Sequence, residues 1–84
     1  MNSKQRKTLE AVFVKPTRAT IRFSDIETML MAVGASISEG SGSRVTFLLG
    51  GEEWHAHRPH PGKEARKYQV EGVREFLERL EIKP

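Results

Sequence analysis

The chain contains no cysteine. That excludes disulfides, thiolate metal sites and a cysteine nucleophile. It also lacks any apolar run approaching the ~20 residues that a membrane helix needs. The N-terminus, Met1-Asn2-Ser3-Lys4-Gln5-Arg6-Lys7, is basic, but no apolar segment of signal-peptide type follows it. Together these absences predict a small cytosolic protein with no membrane contact. Aromatic residues are scarce, 7% of 84. A chain of this length is one domain, which buries only roughly 60–65% of its unfolded surface. It is too small for a deep nucleotide crevice or a two-domain active site. With 37% hydrophobic and 30% charged residues, the composition is that of a folded domain and not of a disordered one.

The charge is unevenly placed. Net charge is +3 overall, yet residues 1–22 alone carry six Lys or Arg against Glu10. Residues 23–57 are acidic, with Arg44 their only Lys or Arg. Residues 58–67 turn basic again through Arg58, Lys63, Arg66 and Lys67. Such clusters are either an electrostatic footprint for phosphate or an ordinary solvated surface. A basic tail also suits an acidic protein partner.

Periodicity predicts three helices and three strands. Leu9, Val12 and Phe13 make an apolar stripe over residues 3–14, which Lys15-Pro16 ends. Ser24-Asp25-Ile26-Glu27 has the form of a capping box, opening a helix with Ile26, Met29, Leu30 and Val33 on one side. Gly34 suits the left-handed residue at its end. Strands are expected at Ala35–Glu39, Arg44–Leu49 and Glu52–His57. Gly40-Ser41-Gly42-Ser43 joins the first two, and Gly50-Gly51 makes a two-residue hairpin between the second and third. A last helix, from about Ala65 to Glu81, buries Val70, Val73, Phe76, Leu77 and Leu80. Gly72 inside it marks a close approach, since glycine there costs roughly 1 kcal/mol against alanine. This order predicts an α+β fold, a three-stranded antiparallel sheet with helices on one face. The other face would be open and carry Glu53, His55 and His57. Phe47 and Trp54 alternate onto the covered face and are expected as core, although aromatics on strands also serve as stacking platforms for bases.

Several residue groups carry chemistry. Three histidines fall within His55-Ala56-His57-Arg58-Pro59-His60. His55 and His57 share a strand face but lack a clear third ligand, so no metal site is expected. His60 stands between Pro59 and Pro61, which restrict its backbone. Imidazole exchanges protons near neutral pH, so a held histidine is a natural general acid or base. Arg58 and Lys63 lie close by in sequence, where they would bind phosphate. The turn Gly40-Ser41-Gly42-Ser43-Arg44 offers amides, hydroxyls and a guanidinium to a phosphate, or simply makes a tight connection. It lacks the Gly-Lys-Ser/Thr ending of a phosphate-binding loop and precedes a strand, not a helix.

From about Ser24 to Ile82 the chain resembles the HicA family of small toxins from bacterial and archaeal toxin–antitoxin pairs. The resemblance rests on an order of features: a helix ending at Val33-Gly34-Ala35, the Gly-Ser turn, the Gly50-Gly51 hairpin, Arg58-Pro59-His60-Pro61-Gly62-Lys63-Glu64, and a helix with Val70, Val73 and Leu77. The segment His60-Pro61-Gly62-Lys63-Glu64 is its most specific part. The resemblance implies a fold like the double-stranded RNA-binding domain, metal-independent cleavage of messenger or single-stranded RNA, no cofactor, and a HicB-like antitoxin that masks the RNA surface. It assigns residues 23–84 to a HicA-like domain and leaves 1–22 as a basic helical extension. The family carries its catalytic histidine in the turn, as Gly-Ser-His-His or Gly-Ser-Asn-His. Here the Gly42-Ser43 alignment puts Arg44 and Val45 at those places, and the Gly40-Ser41 alignment puts Gly42 and Ser43 there; neither finds a histidine. A guanidinium cannot accept the proton of a 2′-hydroxyl. The substitute must then be His57, on the strand expected beside Arg44, or His60. The expected RNA contacts are Ser43, Arg44, Arg58, Lys63, Arg66 and Lys67. The alternative from another class is a catalytically silent RNA- or protein-binding module of the same fold.

Overall fold

The computed structural model describes residues 1–84 and has the expected α+β architecture. Helix α1 spans Ser3–Val12, α2 Phe23–Ala32 and α3 Lys67–Arg79. Strands β1 (Ser36–Glu39), β2 (Arg44–Leu49) and β3 (Glu52–His57) form one antiparallel sheet in the order β1-β2-β3. This is the arrangement expected of a double-stranded-RNA-binding-domain-like fold preceded by an N-terminal helix.

Local chemistry explains the element boundaries. Asn2 caps α1: its Oδ1 accepts from the Gln5 amide at 2.9 Å, and Gln5 Oε1 accepts from the Asn2 amide at 2.9 Å. Such a cap stabilises a helix by about 1 kcal/mol. Helix α2 corrects the expected capping box. Arg22, not Ser24, occupies the N-cap position and makes no side-chain cap bond. The start is fixed instead by a short bridge: the Ala65 amide donates to Ile21 O at 2.7 Å, and the Phe23 amide donates to Lys63 O at 3.0 Å. This pairing also explains why α3 begins at Lys67 and not at Ala65, which is buried beside Ile21. Glu27 does not reach back to a cap; it turns to Arg58.

Both later helices end in the same way. The Ala35 amide donates to Leu30 O at 2.9 Å and the Gly34 amide to Met31 O at 3.0 Å, with Gly34 at φ 111°. At the end of α3, Ile82 bonds Leu77 O at 2.9 Å and Glu81 bonds Glu78 O at 3.0 Å, with Glu81 at φ 59°. These are Schellman closures, which satisfy carbonyls that a helix end leaves free. The β2–β3 hairpin turns on Gly50 and Gly51 at φ 57° and 81°, flanked by the Leu49–Glu52 pair. Two consecutive positive φ values are what the favoured two-residue hairpin needs.

The helices cover one face of the sheet. In register, Ile37, Phe47 and Trp54 line up across the three strands on that face, beside Val45 and Ala56. Phe23 joins Phe47 and Trp54 in an aromatic cluster with ring centroids 5.3–6.5 Å apart. Phe47 and Trp54 are thus core and not base-stacking platforms. The anticipated close approach at Gly72 is present. A Cβ there would lie 2.8 Å from Trp54 Nε1, so only glycine lets α3 settle onto the indole.

Helix α1 shares this core through Leu9 and Val12. Arg74, 7% exposed, fastens it. Its Nε donates to Val12 O at 2.8 Å, and its Nη2 donates to Val14 O at 3.1 Å and Thr17 Oγ1 at 3.0 Å. A cation at carbonyls that α1 leaves unpaired satisfies them and complements the helix dipole.

Candidate nucleic-acid interface

Strand alternation sends every second residue of β2 and β3 away from the helices. In register these are Arg44 opposite His57, Thr46 opposite His55, and Leu48 opposite Glu53. Ser36 and Ser38 continue the last two rows onto β1. The open face therefore carries Glu53, His55 and His57 as expected, and β2 adds a guanidinium and a hydroxyl beside them. A shallow hollow of about 270 Å³ lies between the two strands, lined by Arg44, Val45, Thr46, His55, Ala56 and His57.

Three bonds arrange its imidazoles. Ser43 Oγ lies 3.3 Å from His57 Nδ1. Thr46 Oγ1 lies 2.9 Å from His55 Nδ1, and His55 Nε2 lies 2.9 Å from Glu53 Oε1. The His57 backbone is held from behind by Gln69, whose Nε2 donates to its carbonyl at 2.7 Å. The Arg58 amide donates to Ser43 O at 2.9 Å, closing the sheet end. Ser43, Arg44 and His57, three of the residues singled out from sequence, thus converge on one corner of the open face.

The other singled-out residues lie elsewhere. Arg58 follows His57 by one position and turns to the opposite side of the sheet. Its Nε and Nη2 donate to both oxygens of Glu27 at 2.9 and 3.0 Å, and its Nη1 donates to Glu39 at 3.0 Å. These bonds, to Glu27 first and Glu39 second, raise its pKa above the ordinary guanidinium value. Arg58 ties the end of β3 to α2 and β1. Lys63 stands with Arg22, Glu27 and Arg58 around a second hollow, and Arg66 and Lys67 border a third with Pro59 and Pro61. His60 is exposed on the connecting bend, and its residue lines none of these hollows.

Sequence reasoning passed over Thr46, Glu27 and Glu39. Thr46 and His55 are nine residues apart, and Arg58 and Glu27 thirty-one. The hairpin length does imply that Thr46 faces His55. Nothing local signals the Arg58 clamp.

No group of three or more His, Cys, Asp or Glu is placed to hold a metal ion. The family model for the HicA toxin of bacterial toxin–antitoxin matches residues 23–82. The chain belongs to the HicA toxin family. Searches of curated proteins and of solved structures found no match. As a HicA toxin it is the toxin component of a toxin–antitoxin pair, and the family implies an antitoxin partner. The matched segment starts at α2 and takes in the whole sheet and α3, so α1 precedes it. No helix of this HicA is long and apolar enough to cross a membrane.

Proposed function

We propose that this HicA is a metal-independent endoribonuclease acting on messenger RNA, with its proton-accepting group moved from the turn to β3. The observation that carries the reading is His57, paired across the ladder with Arg44 at the place where the family has its turn histidine. Cleavage of RNA at its own 2′-hydroxyl needs a base near that hydroxyl and a cation for the phosphorane. With Nδ1–H donating to Ser43 Oγ, His57 presents its Nε2 lone pair to the 2′-hydroxyl. Arg44 then stands over the phosphate and stabilises the charge that develops on its oxygens. The P–O2′ bond forms, the P–O5′ bond breaks, and the products are a 2′,3′-cyclic phosphate and a 5′-hydroxyl.

Lys63, Arg66 and Lys67 are free of carboxylate partners and serve flanking phosphates of the bound strand. Arg58 acts as a positioning residue, because its guanidinium is held by two carboxylates. A HicB-like antitoxin would silence the toxin by covering the open face. Its place of action is the cytoplasm, where messenger RNA is found.

The test is RNA cleavage in excess chelator by the wild type and the His57→Ala, His60→Ala and Arg44→Ala variants. Wild type should cleave, and His57→Ala should lose about 10²–10⁴-fold, the usual worth of an acid or base. His60→Ala should stay near wild type; the reverse pattern would move the base to the loop. No cleavage by the wild type at concentrations where RNA binds would leave a catalytically silent binding module.

A further inference from the structure

The open face holds a second arranged imidazole that the base mechanism does not use. His55 lies one cross-strand row from His57 on the same side of β3. Two residues along a strand are roughly 7 Å, the span of one phosphodiester with a donor on each side. The His55 ring is fixed at both nitrogens, by Glu53 at Nε2 and by Thr46 at Nδ1, each at 2.9 Å. Both bonds lie at the surface: the His55 and Glu53 side chains are 70% and 54% exposed. The chain of three side chains ends in a hydroxyl beside the hollow.

We propose that Glu53, His55 and Thr46 form the acid arm of the same site and deliver a proton to the 5′-oxygen that leaves. This rests on the nuclease reading above and adds the group that reading lacks. The Glu53 carboxylate accepts the Nε2–H and sets the ring plane. In the imidazolium form, Nδ1–H donates to Thr46 Oγ1, which frees the threonine's own hydrogen for the leaving oxygen. As the P–O5′ bond breaks, Thr46 passes its hydrogen to O5′ and receives the one from His55. The 2′-hydroxyl proton is meanwhile taken up by His57. The RNA thus loses one proton at O2′ and gains one at O5′, and solvent exchange returns both imidazoles to their starting forms. The hollow is lined by Arg44, Thr46, His55 and His57 together, so a single phosphate would meet base, cation and acid arm at once.

The experiment compares ordinary RNA with RNA carrying sulfur in place of the bridging 5′-oxygen at one cleavage site. A thiolate leaves without protonation, so only a missing acid is rescued. On ordinary RNA, His55→Gln and Thr46→Val should each fall about 10²-fold. On the sulfur substrate both should return to within a few-fold of wild type. His57→Ala, which lacks the base, should remain slow on both substrates. Unchanged rates for His55→Gln on ordinary RNA, or an equal loss on both substrates, would overturn the acid arm while leaving the nuclease standing. Failure of the wild type to cleave either substrate would overturn the nuclease reading, and the acid arm with it.

Discussion

The two faces of the β2–β3 hairpin are made by alternate residues of the same twelve, yet they follow different physics. On the covered face Val45, Phe47 and Trp54 are buried, and the aromatic rings stack on one another and on Phe23. On the open face Arg44, Thr46, His55 and His57 make polar pairs across the ladder at the protein surface. The covered face supplies stability. In the proposed mechanism the open face supplies the chemistry, held in place by a backbone that the covered face fixes. Substitutions should therefore separate cleanly: loss of stability on one side, loss of activity without loss of stability on the other.

The largest effect is expected at the aromatic cluster. Phe47 is fully buried and contacts both other rings. Phe47→Ala removes its transfer free energy and leaves a cavity, together about 3–5 kcal/mol. For a domain that small, with total stability of about 5–10 kcal/mol, chemical denaturation should show a protein near the edge of unfolding. A loss below about 1 kcal/mol would mean that the covered face does not carry the fold.

A smaller loss is expected where α1 joins this core. Arg74→Met keeps the apolar stem but strips the guanidinium from the Val12 and Val14 carbonyls and from Thr17. Leaving such groups unpaired costs about 1–3 kcal/mol. Amide exchange in α1 should accelerate more than exchange in β2 and β3. Uniform acceleration would show that α1 and the sheet unfold as one unit.

Most of the fold was legible because its determinants are local. The stripe Val70, Val73, Phe76 and Leu77 needs only helical periodicity, and Gly50-Gly51 needs only the two backbone conformations that its hairpin demands. Even Gly72 could be read, as a costly residue that some neighbour must require; that neighbour is Trp54. What escaped is non-local. Ser24 and Glu27 match a capping box in sequence, but a bridge from residues 63–65 sets the helix start and leaves Glu27 to Arg58. Arg74 reads as an exposed charge until α1 lays its carbonyls against it. In the candidate site, Ser43, Arg44 and His57 could be brought together on strand pairing alone. Thr46 was not picked out: the pairing puts it opposite His55, but the contact of its hydroxyl with the ring, and of Glu53 with the ring's far side, is a matter of side-chain placement.

The closest contrast is between two arginines near His57. Arg44 faces it across the ladder on the open side; Arg58 follows it in sequence and binds Glu27 and Glu39 on the other. Arg44→Gln should change stability by less than about 0.5 kcal/mol, as surface substitutions do. Arg58→Gln breaks a two-toothed ion pair that is only partly exposed, so it should cost about 1 kcal/mol after solvent screening. RNA affinity should divide the two in the opposite sense. A cation that neutralises one phosphate on a single strand contributes about 0.7 to the slope of log affinity against log salt. Arg44→Gln should flatten the slope by that amount, whereas Arg58→Gln should weaken binding little and leave the slope unchanged. Equal slopes for wild type and Arg44→Gln would move the phosphate contact off the open face. The basic residues around Lys63 and Lys67 would then be the surface that RNA meets first.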